Sequence, residues 1–115
     1  MSATAHALPR GAASLFAALG DETRLAIVER LSAQRPISIA ALTAGTGVTR
    51  QAVTKHLFVL EGAGLVRGSR RGRESLWQLE PARVDVARAY LDHISKRWDD
   101  AIGRLVAHVE RARQD

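Results

Sequence analysis

A mostly α-helical domain with one small β-hairpin is the fold class this sequence predicts, and three observations carry it. Apolar residues recur at helical spacing in successive segments that open on Asp, Ser or Thr and close near Gly. Two short runs, "LVRGS" and "SLWQL", flank a basic, glycine-containing turn, "RRGRE". Beyond Pro81 one apolar stripe runs almost to the end of the 115-residue chain.

Each element follows in order. Residues 1–10 show no periodicity and read as a flexible arm. Leu15, Phe16 and Leu19 make a short helical stripe stopped by Gly20. Asp21 caps a second helix reaching about Ser32, with Leu25, Val28 and Leu31 at helical spacing, and "RPIS" breaks it. Ser38 caps a third helix, with Ile37 before the cap and Leu42 four residues inside as a hydrophobic staple, and Gly45 ends it. Thr49 caps a fourth helix, with Val48 and Val53 at the same staple positions, and this helix stops near Gly62–Gly64. Residues 65–79 form the hairpin, and Pro81 suits the first turn of a helix. From there to about residue 111 the stripe Tyr90, Leu91, Ile94, Trp98, Ile102, Leu105 and Val109 predicts one long helix or two joined ones. Two short helices across a glycine turn, then a hairpin and a helix, spell a winged helix-turn-helix.

At about 100° per residue the fourth helix has two faces. Val53, Leu57 and Leu60 fall together as a core stripe, while Arg50, Gln51, Thr54 and Lys55 fall opposite. The charge is equally uneven. Six of the seventeen basic residues but only one of the twelve acidic ones lie in residues 50–73, leaving eleven of each elsewhere. The whole formal charge of +5 therefore sits in one fifth of the chain. Clustering of this kind suits a polyanion.

Zero cysteines exclude disulfides, thiolate metal sites and cysteine nucleophiles. No apolar run approaches the ~18–20 residues that cross a bilayer, and Asp21 and Glu22 follow "LFAAL" after a single glycine, so neither a membrane anchor nor a signal peptide is expected. A cytoplasmic protein is the default. No catalytic motif, Gly-rich phosphate loop or paired His-x-x-x-His is present, so no enzyme and no cofactor are expected.

The segments "LGDETRLAIVERL", "TRQAVTKHLFVLEGAGLV" and "GRESLWQLEP" resemble the ArsR/SmtB family of bacterial repressors across about residues 11–80. The tail "ISKRWDDAIGRLVAHVE" resembles a subgroup without metal ligands. The resemblance implies a homodimer that binds double-stranded operator DNA and releases it when a ligand or metal binds. A recognition helix touches base edges chiefly with its N-terminal residues. That assigns Thr49, Arg50, Gln51, Thr54 and Lys55 to DNA, with Arg suited to guanine, Gln to adenine, and Thr and Lys to phosphates. Arg70, Arg71 and Arg73 around Gly72 make a cationic wing tip able to reach backbone or minor groove. His56 joins the candidate set with two readings open, a phosphate contact or a partly buried structural role. Phe58 departs from the polar pattern, and is either shielded by another element or set against thymine methyls.

Residues 81–115 are assigned to dimerisation, through Tyr90, Leu91, Ile94, Trp98, Ile102 and Leu105, with Leu15 of the first helix. A small-molecule inducer of unknown identity is a further expected partner. The candidate metal ligands Asp92, His93, His108 and Glu110 have poor spacing, Asp92 and His93 pointing about 100° apart, so no metal site is expected. The expected function is a repressor of a palindromic operator in its own promoter region. Two alternatives stand beside it: a winged-helix module that binds protein and not DNA, and a repressor sensing metal through C-terminal His and Asp residues.

Overall fold

The computed structural model describes residues 11–33 and 35–114; the expected arm at residues 1–10 lies outside them. Its elements are α1 (Ala12–Leu19), α2 (Glu22–Leu31), β1 (Ile37–Ser38), α3 (Ile39–Thr46), α4 (Arg50–Gly62), β2 (Val66–Arg71), β3 (Glu74–Leu79) and α5 (Pro81–Gln114). Three helices start on a side-chain cap. Asp21, Ser38 and Thr49 accept from the backbone N–H of Arg24, Ala41 and Ala52 respectively, at 3.0–3.1 Å. Ile37 and Leu42 about α3, and Val48 and Val53 about α4, are drawn into the core as staples require.

Helix α4 ends in a hydrogen-bonded reversal. The Leu65 N–H donates to the Leu60 carbonyl and the Gly64 N–H to that of Glu61, with Gly64 in the left-handed region at φ 78°. The apolar contact expected of this cap is present, since Leu60 and Leu65 are both buried. The chain therefore leaves α4 in a fixed direction, straight into β2.

The hairpin β2–β3 closes on Gly72 and Arg73, with Gly72 at φ 63° and Val66 to Arg71 paired antiparallel with Leu79 to Glu74. One strand escapes the sequence reading. Ile37 and Ser38, read as a staple residue and a cap within the "RPIS" break, also pair with Trp77 and Leu76, so the sheet has three strands in the order β1-β3-β2. Two residues are too few to show an alternation of period two.

The core lies where α1 to α4 meet the sheet. Leu15, Ile27, Leu31, Leu42, Val53, Leu57, Leu60, Leu65 and Val66 are almost wholly enclosed, and Trp77 closes one side. Leu15 is thereby corrected. Buried inside its own chain, it has no surface to give a second copy. Tyr90 is likewise partly engaged at home, its ring 5.3 Å from that of Phe16 and tilted by 52°.

Residues 81–114 are a single helix, about 51 Å long at 1.5 Å per residue. Val86, Ala87, Tyr90 and Arg83 tie its first turns to the body. The Arg83 guanidinium donates from Nε to the Ala63 carbonyl and from Nη2 to that of Gly11. Farther on, no residue of α5 is buried, and Leu91, Trp98, Ile102, Leu105, Val106 and Val109 are exposed, Trp98 by 65%. Along the stripe Leu91, Ile94, Trp98, Ile102, Leu105 and Val109 the steps are 3, 4, 4, 3 and 4 residues, so each of the first three members recurs eleven positions later. A spacing of eleven over three turns keeps a stripe nearly parallel to the helix axis. No described helix is long and apolar enough to cross a membrane.

Gly45 does not end α3. The helix continues to Thr46 and closes on Gly47, at φ 71°. Gly45 instead makes room for Arg30 of α2. That guanidinium donates to the carbonyls of Ala41 (2.8 Å) and Leu42 (3.1 Å), and a Cβ on residue 45 would overlap it. The substitution Gly45→Ala gains about 1 kcal/mol of helix propensity but displaces hydrogen bonds worth about 1.5–3 kcal/mol. Gly45→Ala is therefore expected to lower stability by about 1 kcal/mol, and to raise it in an Arg30→Ala background. Urea denaturation of the four proteins reads the sign change, and the same sign in both backgrounds refutes this role for Gly45.

Candidate nucleic-acid interface

The buried stripe of α4 fixes which way its other face points. Val53, Leu57 and Leu60 are fully enclosed, and burying each is worth about 1.5–3 kcal/mol, so rotating the helix would be costly. Arg50, Gln51 and Lys55 then stand in solvent on its first turns, beside N–H groups that carry the positive end of the helix dipole. Thr49 accepts the cap bond from Ala52, leaving its own hydroxyl proton free for an acceptor. Thr54 differs. Its hydroxyl donates to the Arg50 carbonyl at 2.9 Å, so the group left to meet a partner is its methyl, not a phosphate donor.

His56 turns away from this surface. Its Nδ1 lies 3.1 Å from Nη1 of Arg24 and 3.9 Å from a carboxylate oxygen of Asp21. With arginine donating, Nδ1 accepts and the ring proton sits on Nε2. Arg24 also donates from Nε to the Ala18 carbonyl, so one guanidinium joins the end of α1, the start of α2 and the middle of α4. Its ring is thus held by α2, as the structural one of the two readings requires. Asp21 belongs to the same cluster. The N–H bond from Arg24 holds its carboxyl below the usual 3.8; loss of hydration opposes this, and attraction from His56 and Arg24 reinforces it.

Phe58 is 58% exposed and stands edge-on to Trp77, ring centroids 6.4 Å apart at 70°. It lies on the wing side of α4, partly sheltered by the indole. Trp77 lies so close over Gly68 that a Cβ there would meet its ring at 3.0–3.2 Å.

The wing arginines are exposed but not equivalent. Alternation along β2 sends Arg70 to one face and Arg71 to the other, while Arg73 sits in the turn. Arg71 stands opposite Glu74, and Arg70 opposite the uncharged Ser75. Arg67, counted in the basic segment, is already paired. Its Nε is 3.0 Å from Oε1 of Glu80, and the side-chain carbonyl of Gln78 accepts from the same guanidinium. Among the described residues, the cations of this segment left unopposed are Arg50, Lys55, Arg70 and Arg73. Sequence alone hides this, since Glu80 lies outside the basic stretch. Among the described residues no three His, Cys, Asp or Glu side chains are placed to hold a metal.

Against known proteins, the helix-turn-helix domain family matches residues 19–69. The transcriptional regulator Rv2034 of Mycobacterium tuberculosis is 41% identical over 89 residues, 77% of this chain and 82% of that one. An ArsR-like transcriptional regulator from Rhodococcus sp. RHA1 superposes with a TM-score of 0.68 at 35% identity, covering 83% of this chain and 89% of that one. The chain belongs to the ArsR/SmtB family. A further structure, the homodimeric winged helix-turn-helix DNA-binding domain of Mb0332 from Mycobacterium bovis, has a TM-score of 0.61 at 27% identity, with 90% and 93% covered. Like its relatives, this ArsR/SmtB chain is a transcriptional regulator with a helix-turn-helix DNA-binding domain.

The Asp21 cluster has a pH signature. A lowered folded-state pKa means stability that is present above pH 3.8 and lost as pH falls through the folded value. Asp21→Asn keeps a capping oxygen but cannot ionise. It is expected to be less stable than the parent at pH 7, with the gap in urea midpoint closing progressively below pH 3.8. A gap unchanged into acid contradicts the assignment.

Proposed function

We propose that the chain is a homodimeric repressor that binds a palindromic operator in its own promoter region. In this reading residues 11–80 form the DNA-binding unit, and residues 81–115 carry the pairing surface, their first turns doubling as part of the body. Arg50 and Gln51 read base edges, Thr54 offers its methyl to a thymine, and Thr49 and Lys55 bind phosphate. Arg70 and Arg73 supply the main wing cations, with Arg71 tempered by Glu74. The observation that carries the reading is the pairing, on one rigid helix, of a fully buried stripe with an exposed cap end of Arg and Gln. The unopposed wing arginines extend the same cationic surface.

The pairing reading rests on the distal half of α5. Its apolar stripe has no cover among the described residues, and a contiguous exposed apolar surface marks an interaction site. The homodimeric state of the Mb0332 domain supports the same reading. Two copies are also what a helix-turn-helix protein needs to read half-sites about one DNA turn apart. Repression follows from the placement of such an operator, because a dimer seated on its own promoter excludes other proteins from it.

Fluorescence anisotropy with promoter DNA and random DNA, at several salt concentrations, tests the proposal. Arg50→Ala is expected to weaken promoter binding by about 1–3 kcal/mol and random-DNA binding far less. Equal losses on both mean that Arg50 reads no base. Arg70→Ala is expected to weaken both alike and to reduce the salt slope by about one. Trp98→Glu is expected to shift the protein to monomer in sedimentation and to weaken promoter binding at least tenfold. A dimeric Trp98→Glu protein places the pairing surface elsewhere.

A further inference from the structure

A cavity of about 520 Å³ is lined by none of the residues assigned to DNA. It opens where the end of α2, the base of the wing and the first turns of α5 meet, and the buried side chain of Leu31 closes it inward. Leu79, Pro81 and Val84 complete an apolar wall, and Ser32 and Gln78 supply neutral polar groups. Its size falls in the range of small-molecule sites, about 300–1,000 Å³.

The rim is unevenly charged. Arg35, Arg67, Arg88 and Asp85 all line it. Arg67 is neutralised by Glu80. Arg35, in the connection between α2 and β1, and Arg88, on α5, make no hydrogen bond or ion pair among the described residues. Asp85 lies one turn before Arg88 on α5 and offsets one of them, leaving a net positive rim. A net positive rim carrying two guanidiniums without a bonded partner, beside an apolar wall, matches one kind of occupant best: an apolar body ending in a single carboxylate, which a guanidinium binds bidentately.

We propose that this cavity binds small aryl or alkyl monocarboxylates, with the carboxylate between Arg35 and Arg88 and the apolar body over Leu31, Leu79 and Val84. Two lining residues, Arg67 and Gln78, belong to the wing strands, and Leu79 ends the second of them. An occupant therefore touches both the body and the base of the wing, and its binding is coupled to that of DNA. This coupling rests on the regulator reading; the site itself does not.

The test is a titration of the isotope-labelled full-length protein, without DNA, with phenylacetate, 2-phenylacetamide and 2-phenylethylamine, three near-isosteres that differ in charge. Saturable amide shifts centred on residues 31–35 and 78–88 are expected with phenylacetate, the neutral amide binding at least about fivefold more weakly. Arg35→Ala and Arg88→Ala, both at exposed positions, should each weaken phenylacetate binding by a similar factor with the spectrum otherwise intact. The proposal is overturned if phenylacetate gives no saturable shifts there, or if the amine or amide binds as well. Promoter DNA is titrated separately. A protein that binds DNA but ignores phenylacetate refutes this site and leaves the regulator reading standing, and the opposite result does the reverse. Promoter affinity that does not move at saturating phenylacetate removes the coupling.

Discussion

The rotational setting of α4 is the constraint on which the rest of the molecule depends. One side of the helix is spent on Val53, Leu57 and Leu60, which the core encloses completely. Everything available to DNA is whatever those residues leave over. The cap at Thr49 and the staple of Val48 on Val53 fix where the helix begins, and the hydrogen-bonded reversal at Gly64 fixes where it points the wing. Arg24 adds a polar brace by gripping α1, α2 and α4 through one guanidinium. The exposed cap end of α4 and the direction of the wing thus both follow from a single buried stripe.

What the sequence makes legible is mostly local. Caps and staples act over three to five residues, so Asp21, Ser38, Thr49 and the stripe of α4 are visible without a fold. The features it hides depend on residues far apart. His56 meets Arg24 across 32 positions, and no local pattern announces that contact. Gly45 looks like a helix stop until Arg30, fifteen residues earlier, is seen to cross it. Strand β1 is two residues long and exists only because β3 offers an edge. Leu15 looks like an interface residue because a helical stripe does not say which neighbour covers it.

The candidate site repeats that division. The exposure of Arg50, Gln51 and Lys55 follows from the helical wheel, and the structure keeps all three in solvent. Charge is less transparent, because a cation counts only if nothing answers it. Arg67 is answered by Glu80 and Gln78, and Arg71 faces Glu74, while Arg70 faces a serine. Strand alternation further divides the wing arginines between two faces, a geometry that a composition count averages away. Arg35 and Arg88 are the reverse case, unremarkable in sequence yet gathered at one cavity from the α2–β1 connection and from α5.

The uncovered stripe on α5 has a consequence for dosage. If operator recognition needs two chains and pairing depends on that stripe, the active species grows with the square of chain concentration whenever monomers predominate. A regulator that limits its own synthesis would then shut down abruptly once pairs accumulate, and would fall silent just as abruptly on dilution at cell growth. The steps of 3, 4, 4, 3 and 4 residues that keep Leu91 to Val109 in line would set a threshold in time as well as a surface in space.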